Sequence, residues 1–279
     1  MKVTALIENQ CEGEYLPEHG LSILIEYNHK MYLLDTGASG YFALNAKDMG
    51  IDQANIDIAF LSHAHYDHSG GYNEFFKANK TAIVYLQKAA KQEHFYKIVD
   101  IIKKDIGIPG GVLKYHEDRF VYVDGDAQID EGVSVLAHHT PNLSDRGKRA
   151  HMYAMEEGRL VVDEFKHEQT VVFEENGELV IFNSCSHGGI DNVIAEVQTA
   201  YPGKNIKAFF GGFHLMGTLG YKTCSYTKEE VQELGKKLVS MCDTVFYTGH
   251  CTGIPAFEYL SEVMNEQIHT FHTGDVVEV

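Results

Sequence analysis

Ala59-Phe60-Leu61-Ser62-His63-Ala64-His65-Tyr66-Asp67-His68-Ser69-Gly70-Gly71 decides how this chain is read. Three histidines and an aspartate fall within six positions, directly after the apolar run Ile56 to Leu61. The run reads as a short buried strand and Ser69-Gly70-Gly71 opens a helix, so the ligand-type side chains occupy a strand-to-helix loop. A sheet holds such a loop rigidly while its side chains stay free to converge. His63 and His65 are two apart, project the same way from extended backbone and can share one ion. Asp67 and His68 continue around the bend and can reach a second. Neutral imidazole and carboxylate are the usual ligands of zinc, iron or manganese. A polar loop with surface histidines is the bland alternative, and it leaves this density of ligand types unexplained.

The pattern His63-Ala64-His65-Tyr66-Asp67-His68 resembles the signature of the metallo-β-lactamase superfamily. The resemblance implies an α/β chain folded as a four-layer αβ/βα sandwich, with a dinuclear metal site at its edge and hydrolytic chemistry as in most members. Redox members that hold di-iron typically carry Glu where this chain has His65, so the resemblance favours hydrolysis.

Upstream, Lys2 to Glu8 reads as a strand, and a polar loop through Cys11, Pro17 and Gly20 is long enough to border a site. Leu21 to Tyr27 and Met31 to Asp35 form a hairpin across Asn28-His29-Lys30, where His29 is a turn residue. Asp35-Thr36-Gly37 is either a plain strand-end turn or, by its place ahead of the metal stretch, the Asp-x-Gly that many superfamily members carry. In the second case Asp35 could accept the free N–H of a ligand histidine and fix its tautomer. Gly40 to Met49 reads as a helix ended by Gly50. Downstream, Gly71 to Ala78 is helical, Thr81 to Leu86 a strand, and Lys88 to Lys104 a helix carrying His94 as a surface or packing residue. Gly107 to Gly111 breaks that helix, and strands follow at Phe120 to Val123 and Val133 to Ala137.

His138 to His151 is the least regular part, rich in turn formers and potential ligands. It reads as a lid over a pocket, with His138 and His139 as candidate third ligands by family likeness. Arg146, Lys148 and Arg149 form the one notable basic cluster, facing either an anionic substrate or solvent. A second hairpin, Thr170 to Phe173 and Glu178 to Asn183, turns at Asn176-Gly177 and runs into Ser184-Cys185-Ser186-His187-Gly188-Gly189-Ile190 and a helix through Ala200. The strand Ile206 to Phe210 ends in Gly211-Gly212-Phe213-His214-Leu215. After a helix over Thr227 to Met241, the strand Thr244 to Tyr247 ends in Thr248-Gly249-His250-Cys251-Thr252-Gly253, and Pro255 opens another helix. Small residues beside each histidine let the backbone approach a metal or substrate closely. Gln267 to His272 and Val276 to Val279 read as closing strands.

The resemblance turns these positions into a ligand set. His63, His65 and His187 are assigned to one ion and Asp67, His68 and His250 to the other, which calls for two divalent metal ions, zinc first and iron or manganese as alternatives. A water between two such ions becomes a hydroxide near neutral pH, with Asp67 helping to orient it and His214 left for substrate contact, proton transfer or support of a ligand. The superfamily usually supplies an acidic bridging residue from a later strand end; here the Ser184 to His187 loop occupies that position. The strand-end motifs, with Glu168-Gln169-Thr170, further resemble the branch containing the 7,8-dihydropterin-6-methyl-4-(β-D-ribofuranosyl)aminobenzene-5′-phosphate synthases. Three readings follow: a dinuclear hydrolase of a small ester, lactone or phosphoester; a synthase of that branch; and a non-catalytic metal-binding protein.

Composition bounds the rest. The 279 residues, 44% hydrophobic, suit a single domain over 1–279. A formal charge of −17 argues against nucleic acid as a partner and leaves a small molecule, an anionic one included. Cys11, Cys185, Cys224, Cys242 and Cys251 are scattered, with no Cys-x-x-Cys pair, which reads as reduced thiols in a cytoplasmic protein. No run reaches membrane-spanning length, and a homo-oligomer stays open.

Overall fold

The computed structural model describes every residue except 12 and 99–101. Among the described residues two seven-stranded sheets face each other. The first runs Val276–Glu278, Lys2–Ile7, Ser22–Tyr27, Lys30–Leu34, Ile58–Phe60, Ile83–Gln87, Phe120–Val123. The second runs Ile268–Thr270, Val245–Thr248, Ile206–Phe210, Glu178–Phe182, Gln169–Glu175, Val133–Ala137, Ala127–Asp130. Each sheet changes from antiparallel to parallel pairing part-way across, at Lys30–Leu34 in the first and at Glu178–Phe182 in the second.

Alternation within the strands builds the layers. Val3, Ile23, Ile25, Leu34 and Phe60 face Val135, Val171, Phe173, Phe182 and Phe210 across the inter-sheet core. Phe182 and Phe210 stack with centroids 5.1 Å apart, and full burial of such a side chain contributes about 1.5–3 kcal/mol. On the outer face of the first sheet, helices Tyr41–Asp48 and Tyr72–Ala78 place Phe42, Phe75 and Phe76 against Leu24, Leu33 and Val84. On the outer face of the second, Ile190–Ala200, Lys228–Met241 and Ile254–Met264 cover Leu179, Ile181, Phe209 and Phe246. The result is the expected four-layer αβ/βα sandwich. No helix among the described residues is long and apolar enough to cross a membrane.

Two stretches differ from the sequence reading. Lys88–Lys91 forms one 3-10 turn, and the helix expected through Lys104 is replaced by strands His94–Ile98 and Ile102–Asp105; its part over 99–101 lies outside the described residues. These strands join Met152–Glu156 and Arg159–Val162 in a four-stranded sheet. The local pattern read as helical, but His94–Ile98 pairs with Ile102–Asp105 on one side and with Met152–Glu156, more than fifty residues away along the chain, on the other. The irregular stretch after His138 contains a helix, Ser144–Ala150.

Candidate metal centre

The parallel strands end at one edge, which is why histidines distant in sequence meet there. His63 and His65 follow Ile58–Phe60, His187 follows Glu178–Phe182, His214 follows Ile206–Phe210 and His250 follows Val245–Thr248. The rings of His63, His65 and His187 form a triangle with centroid separations of 4.6, 4.8 and 4.8 Å. His63 Nε2, His65 Nε2 and both ring nitrogens of His187 are buried without a hydrogen-bond partner. Each such nitrogen costs about 1–3 kcal/mol, a debt that a shared divalent cation would offset. Burial first, and neighbouring imidazoles second, hold all three rings well below their ordinary value of 6.5. They are therefore neutral, the form that ligates metal.

The second set lies beside the first. His68 Nε2 and His250 Nε2 are 3.2 Å apart, and Asp67 Oδ2 is 3.6 and 3.5 Å from them. Burial opposes charge on Asp67, but His68 and His250 outweigh it and keep the carboxyl well below the usual range. The hydrogen-bond network assigns the tautomers. Asp35 Oδ2 accepts from His68 Nδ1 at 2.8 Å and from Ser62 Oγ at 2.6 Å, while Ser62 Oγ accepts from His63 Nδ1 at 2.8 Å. Asn9 Oδ1 accepts from His250 Nδ1 at 3.0 Å. All three rings thus spend Nδ1–H outward and turn Nε2 towards the centre, the arrangement found around metal-ligating histidines. Asp35 fills the supporting role read from its position in the sequence.

Backbone strain marks the same residues. Asp35, Ser186, His214 and His250 have φ of 61, 51, 49 and 48°, each costing about 1–3 kcal/mol for a non-glycine side chain. Glu8 holds the turn at His250 by accepting its backbone N–H. At Gly211 the φ is 142° and an added Cβ would lie 1.9 Å from the Asn183 carbonyl oxygen, so only glycine lets these two loops touch.

Sequence reasoning missed two side chains here. Cys185 Sγ is 3.3 Å from His68 Nε2, and it groups both with His63 and His187 and with His68 and His250. It therefore stands between the two candidate ligand sets, in the loop where no acidic bridge was found; the Ser-Cys-Ser-His string already held that signal. His19 stacks on His250 at 5.1 Å and places Nε2 3.3 Å from Asp67 Oδ2. The polar loop that carries it was read only as bordering a site.

Other histidines take supporting roles. His138 lies between Glu168 Oε2 at 2.5 Å and Glu196 Oε2 at 3.0 Å, not among the ligand rings, while His139 meets Asp126 at the surface. Glu168 also accepts the backbone N–H groups of His187 and Gly188 at 2.9 and 3.1 Å, so the pair fixes the loop that carries His187. His94, read as a surface or packing residue, is fully buried and donates from Nδ1 to Asp163 Oδ2 at 2.9 Å. Asp163 also accepts from His167 Nε2 at 3.2 Å, which leaves His167 Nδ1 to accept the Ala64 backbone N–H at 3.0 Å. This chain braces the loop between His63 and His65.

Burial opposes charge on His138, yet the two carboxylates push its pKa up to about 10, and His138 in turn helps bring Glu196 to about 2. The His138 contribution is complete below 6.5 and is lost as pH rises through about 10; that of Glu196 is complete above 4.5 and is lost as pH falls through about 2. His138→Gln is therefore expected to cost about 3–5 kcal/mol near pH 5.5, with the gap to wild type narrowing towards pH 10 in urea unfolding. A gap independent of pH would show that His138 is not charged.

Above the centre opens a cavity of about 460 Å³, floored by His65, Asp67, Cys185, His187, His214 and His250. Its walls carry Tyr66, Tyr96, Tyr221 and Tyr226, with Lys104, Arg146 and Arg149. Arg149 is held by Glu230 and lies over the Tyr226 ring, and Arg146 makes a 3.2 Å contact with Asp191. Lys148, the third member of the basic cluster, pairs with Asp145 at the exposed surface.

Comparison with known proteins agrees with this architecture. Residues 15–145 match the family model of the metallo-beta-lactamase superfamily. The chain is 26% identical, over 99% of its length and 96% of the relative's, to the 7,8-dihydropterin-6-methyl-4-(beta-D-ribofuranosyl)-aminobenzene-5'-phosphate synthase of Methanocaldococcus jannaschii. It superposes on a crystal structure described as a metal-dependent hydrolase of the beta-lactamase superfamily with a TM-score of 0.83 and 27% identity, covering 100% of this chain and 99% of the other. Zinc-bound PqqB from Methylobacterium extorquens shares the fold alone, at a TM-score of 0.57, 12% identity and full coverage of both chains. Sandwich, sequence match and full-length similarity together show the metallo-β-lactamase fold and a resemblance to that superfamily along the whole chain.

Proposed function

We propose that the chain is a metal-dependent hydrolase of a small anionic ester, lactone or phosphoester, acting as one domain. The observation that carries this reading is the pair of adjoining His/Asp sets, the first with bare ring nitrogens, at the floor of a cavity that also presents cationic side chains. His63, His65 and His187 would hold one divalent ion, and Asp67, His68 and His250 the other, with Cys185 between them. Bound there, two such ions would activate water near neutral pH and draw charge from the attacked group.

The chain's own residues do the rest. Asp67 accepts a hydrogen bond from the attacking water and orients it. His214, with Nδ1 buried and unpartnered and its ring 4.1 Å from His187, is placed to pass a proton to the leaving group. Lys104 and Arg146 attract an anionic group to the cavity, while Tyr66, Tyr96, Tyr221 and Tyr226 exclude water and accommodate a ring. The tyrosine lining and the synthase relative favour transfer between aromatic substrates as the second reading.

Metal-loaded protein is expected to turn over a generic phosphodiester or lactone, and chelator treatment to remove that turnover. Turnover that survives complete metal removal would overturn the proposal; a loaded protein inert to both hydrolytic substrates would favour transfer. Metal uptake itself is expected to release protons. Burial opposes charge on His250, but its hydrogen bond to Asp67 pushes the imidazole pKa up to about 9 in the metal-free chain. That proton must leave before Nε2 can ligate, so affinity at the Asp67 side should rise about tenfold per pH unit between pH 7 and 9. Isothermal titration in buffers of different ionisation enthalpy measures this directly, and zero proton release would exclude His250 as a ligand.

A further inference from the structure

Cys185 and Cys251 belong to different strand-end loops, yet both side chains are 2% exposed and both line the cavity above the metal centre. Their sulfur atoms and a His214 ring nitrogen lie within 4.8 Å of one another, and Cys251 Sγ also approaches the Cys185 carbonyl oxygen at 3.6 Å. The loops are fixed on either side: the residues next to the cysteines, Ser186 and His250, hold left-handed backbone, and a Cβ at Gly212 would lie 2.4 Å from Cys251 Sγ. The two sulfurs thus face each other across no more than 4.8 Å between loops held in place, and that gap must close to roughly 2 Å for an S–S bond. One of them also belongs to both ligand sets. A bond to Cys251 would use the sulfur that lies 3.3 Å from His68 Nε2 and that groups with His63 and His187, so that it is no longer available as a thiolate ligand.

We propose that Cys185 and Cys251 are a redox pair, which a hydroperoxide converts to a disulfide when the metal centre is empty and which bound metal protects. One thiolate attacks the peroxide O–O bond, forming a sulfenic acid and releasing the other oxygen as water after protonation. The second thiol then attacks the sulfenic sulfur, the S–S bond forms, and the hydroxyl leaves as a second water. Two thiols lose two electrons and two protons, and one hydrogen peroxide is reduced to two waters. The product withdraws a sulfur from both ligand sets at once, so oxidation and metal loading exclude each other.

The test uses the full chain, stripped of metal by a chelator and treated with hydrogen peroxide. Thiol titration and non-reducing peptide mass mapping are expected to show the five free thiols fall to three, with Cys185 and Cys251 peptides joined. Separate sulfinic or sulfonic acids on the two residues, or pairings scattered among all the cysteines, would overturn the proposal. In Cys251→Ser, peroxide is expected to carry Cys185 on to the sulfinic acid without a crosslink; a new Cys185 crosslink to another cysteine would show that no defined pair exists. Preloading wild type with zinc should slow crosslinking at least tenfold, and dithiothreitol should restore zinc uptake to the oxidised protein. Equal crosslinking rates with and without zinc would refute the exclusion. The crosslink map is read without turnover, so it stands or falls separately from the hydrolase reading.

Discussion

Asp35→Ala is expected to be the most damaging single substitution outside the ligands themselves, lowering metal affinity 10- to 100-fold and stability by about 3–5 kcal/mol. Asp35 is fully buried and accepts three hydrogen bonds, from the Ser62 backbone N–H at 2.7 Å, Ser62 Oγ at 2.6 Å and His68 Nδ1 at 2.8 Å. Alanine leaves all three donors in a dry site and removes the acceptor that keeps His68 Nε2 free for a metal. Through Ser62 it also loosens His63, so both ligand sets are affected by one change. Asp35→Asn should fall between wild type and alanine, because an amide replaces one acceptor oxygen by a donor that faces other donors. Urea unfolding and competition with a chromophoric chelator separate the two effects. Metal affinity unchanged in both variants would show that the Nδ1 contact is ordinary packing.

His187→Ala is expected to cost metal binding while leaving the metal-free chain almost unchanged. In the metal-free chain the ring stacks on Phe165 at 4.9 Å, but neither of its nitrogens has a partner. Removing it relieves a burial cost of about 1–3 kcal/mol per unpartnered nitrogen, which offsets much of the cavity cost. In a loaded chain it would remove one of the three ligands proposed for the His63 side. Elemental analysis should therefore find bound metal reduced from about two ions to about one per chain, and the thermal shift on zinc addition should shrink, while the metal-free melting temperature moves little. Unchanged metal content would place the third ligand elsewhere. His138 would not be the next choice, because its two ring nitrogens already face Glu168 and Glu196.

Most of the site was legible because its residues follow strand ends that local patterning reveals. His63, His65, Asp67, His68, His187, His214 and His250 each stand after an apolar run and beside small residues, and a parallel sheet brings such loops to one edge. Asp35 was legible for the same reason. His94 and His167 were not: their arrangement depends on Asp163, which the long-range pairing of Met152–Glu156 with His94–Ile98 brings to them, and periodicity cannot report pairing of that kind. The expected helix over Lys88 to Lys104 failed there too, since tertiary pairing outweighed local propensity.

By itself the sequence determined the strands that carry the site and the set of ligand-type side chains at their ends, because periodicity and strand-end chemistry are local; the two-sheet sandwich followed from the resemblance that those residues carry. Only the tertiary structure decided that Cys185 stands between the two candidate ligand sets, that His19 and Cys251 border them, and that His138 is a brace between Glu168 and Glu196. Each of those roles depends on distances between loops far apart along the chain, and these are set by how the two sheets pack.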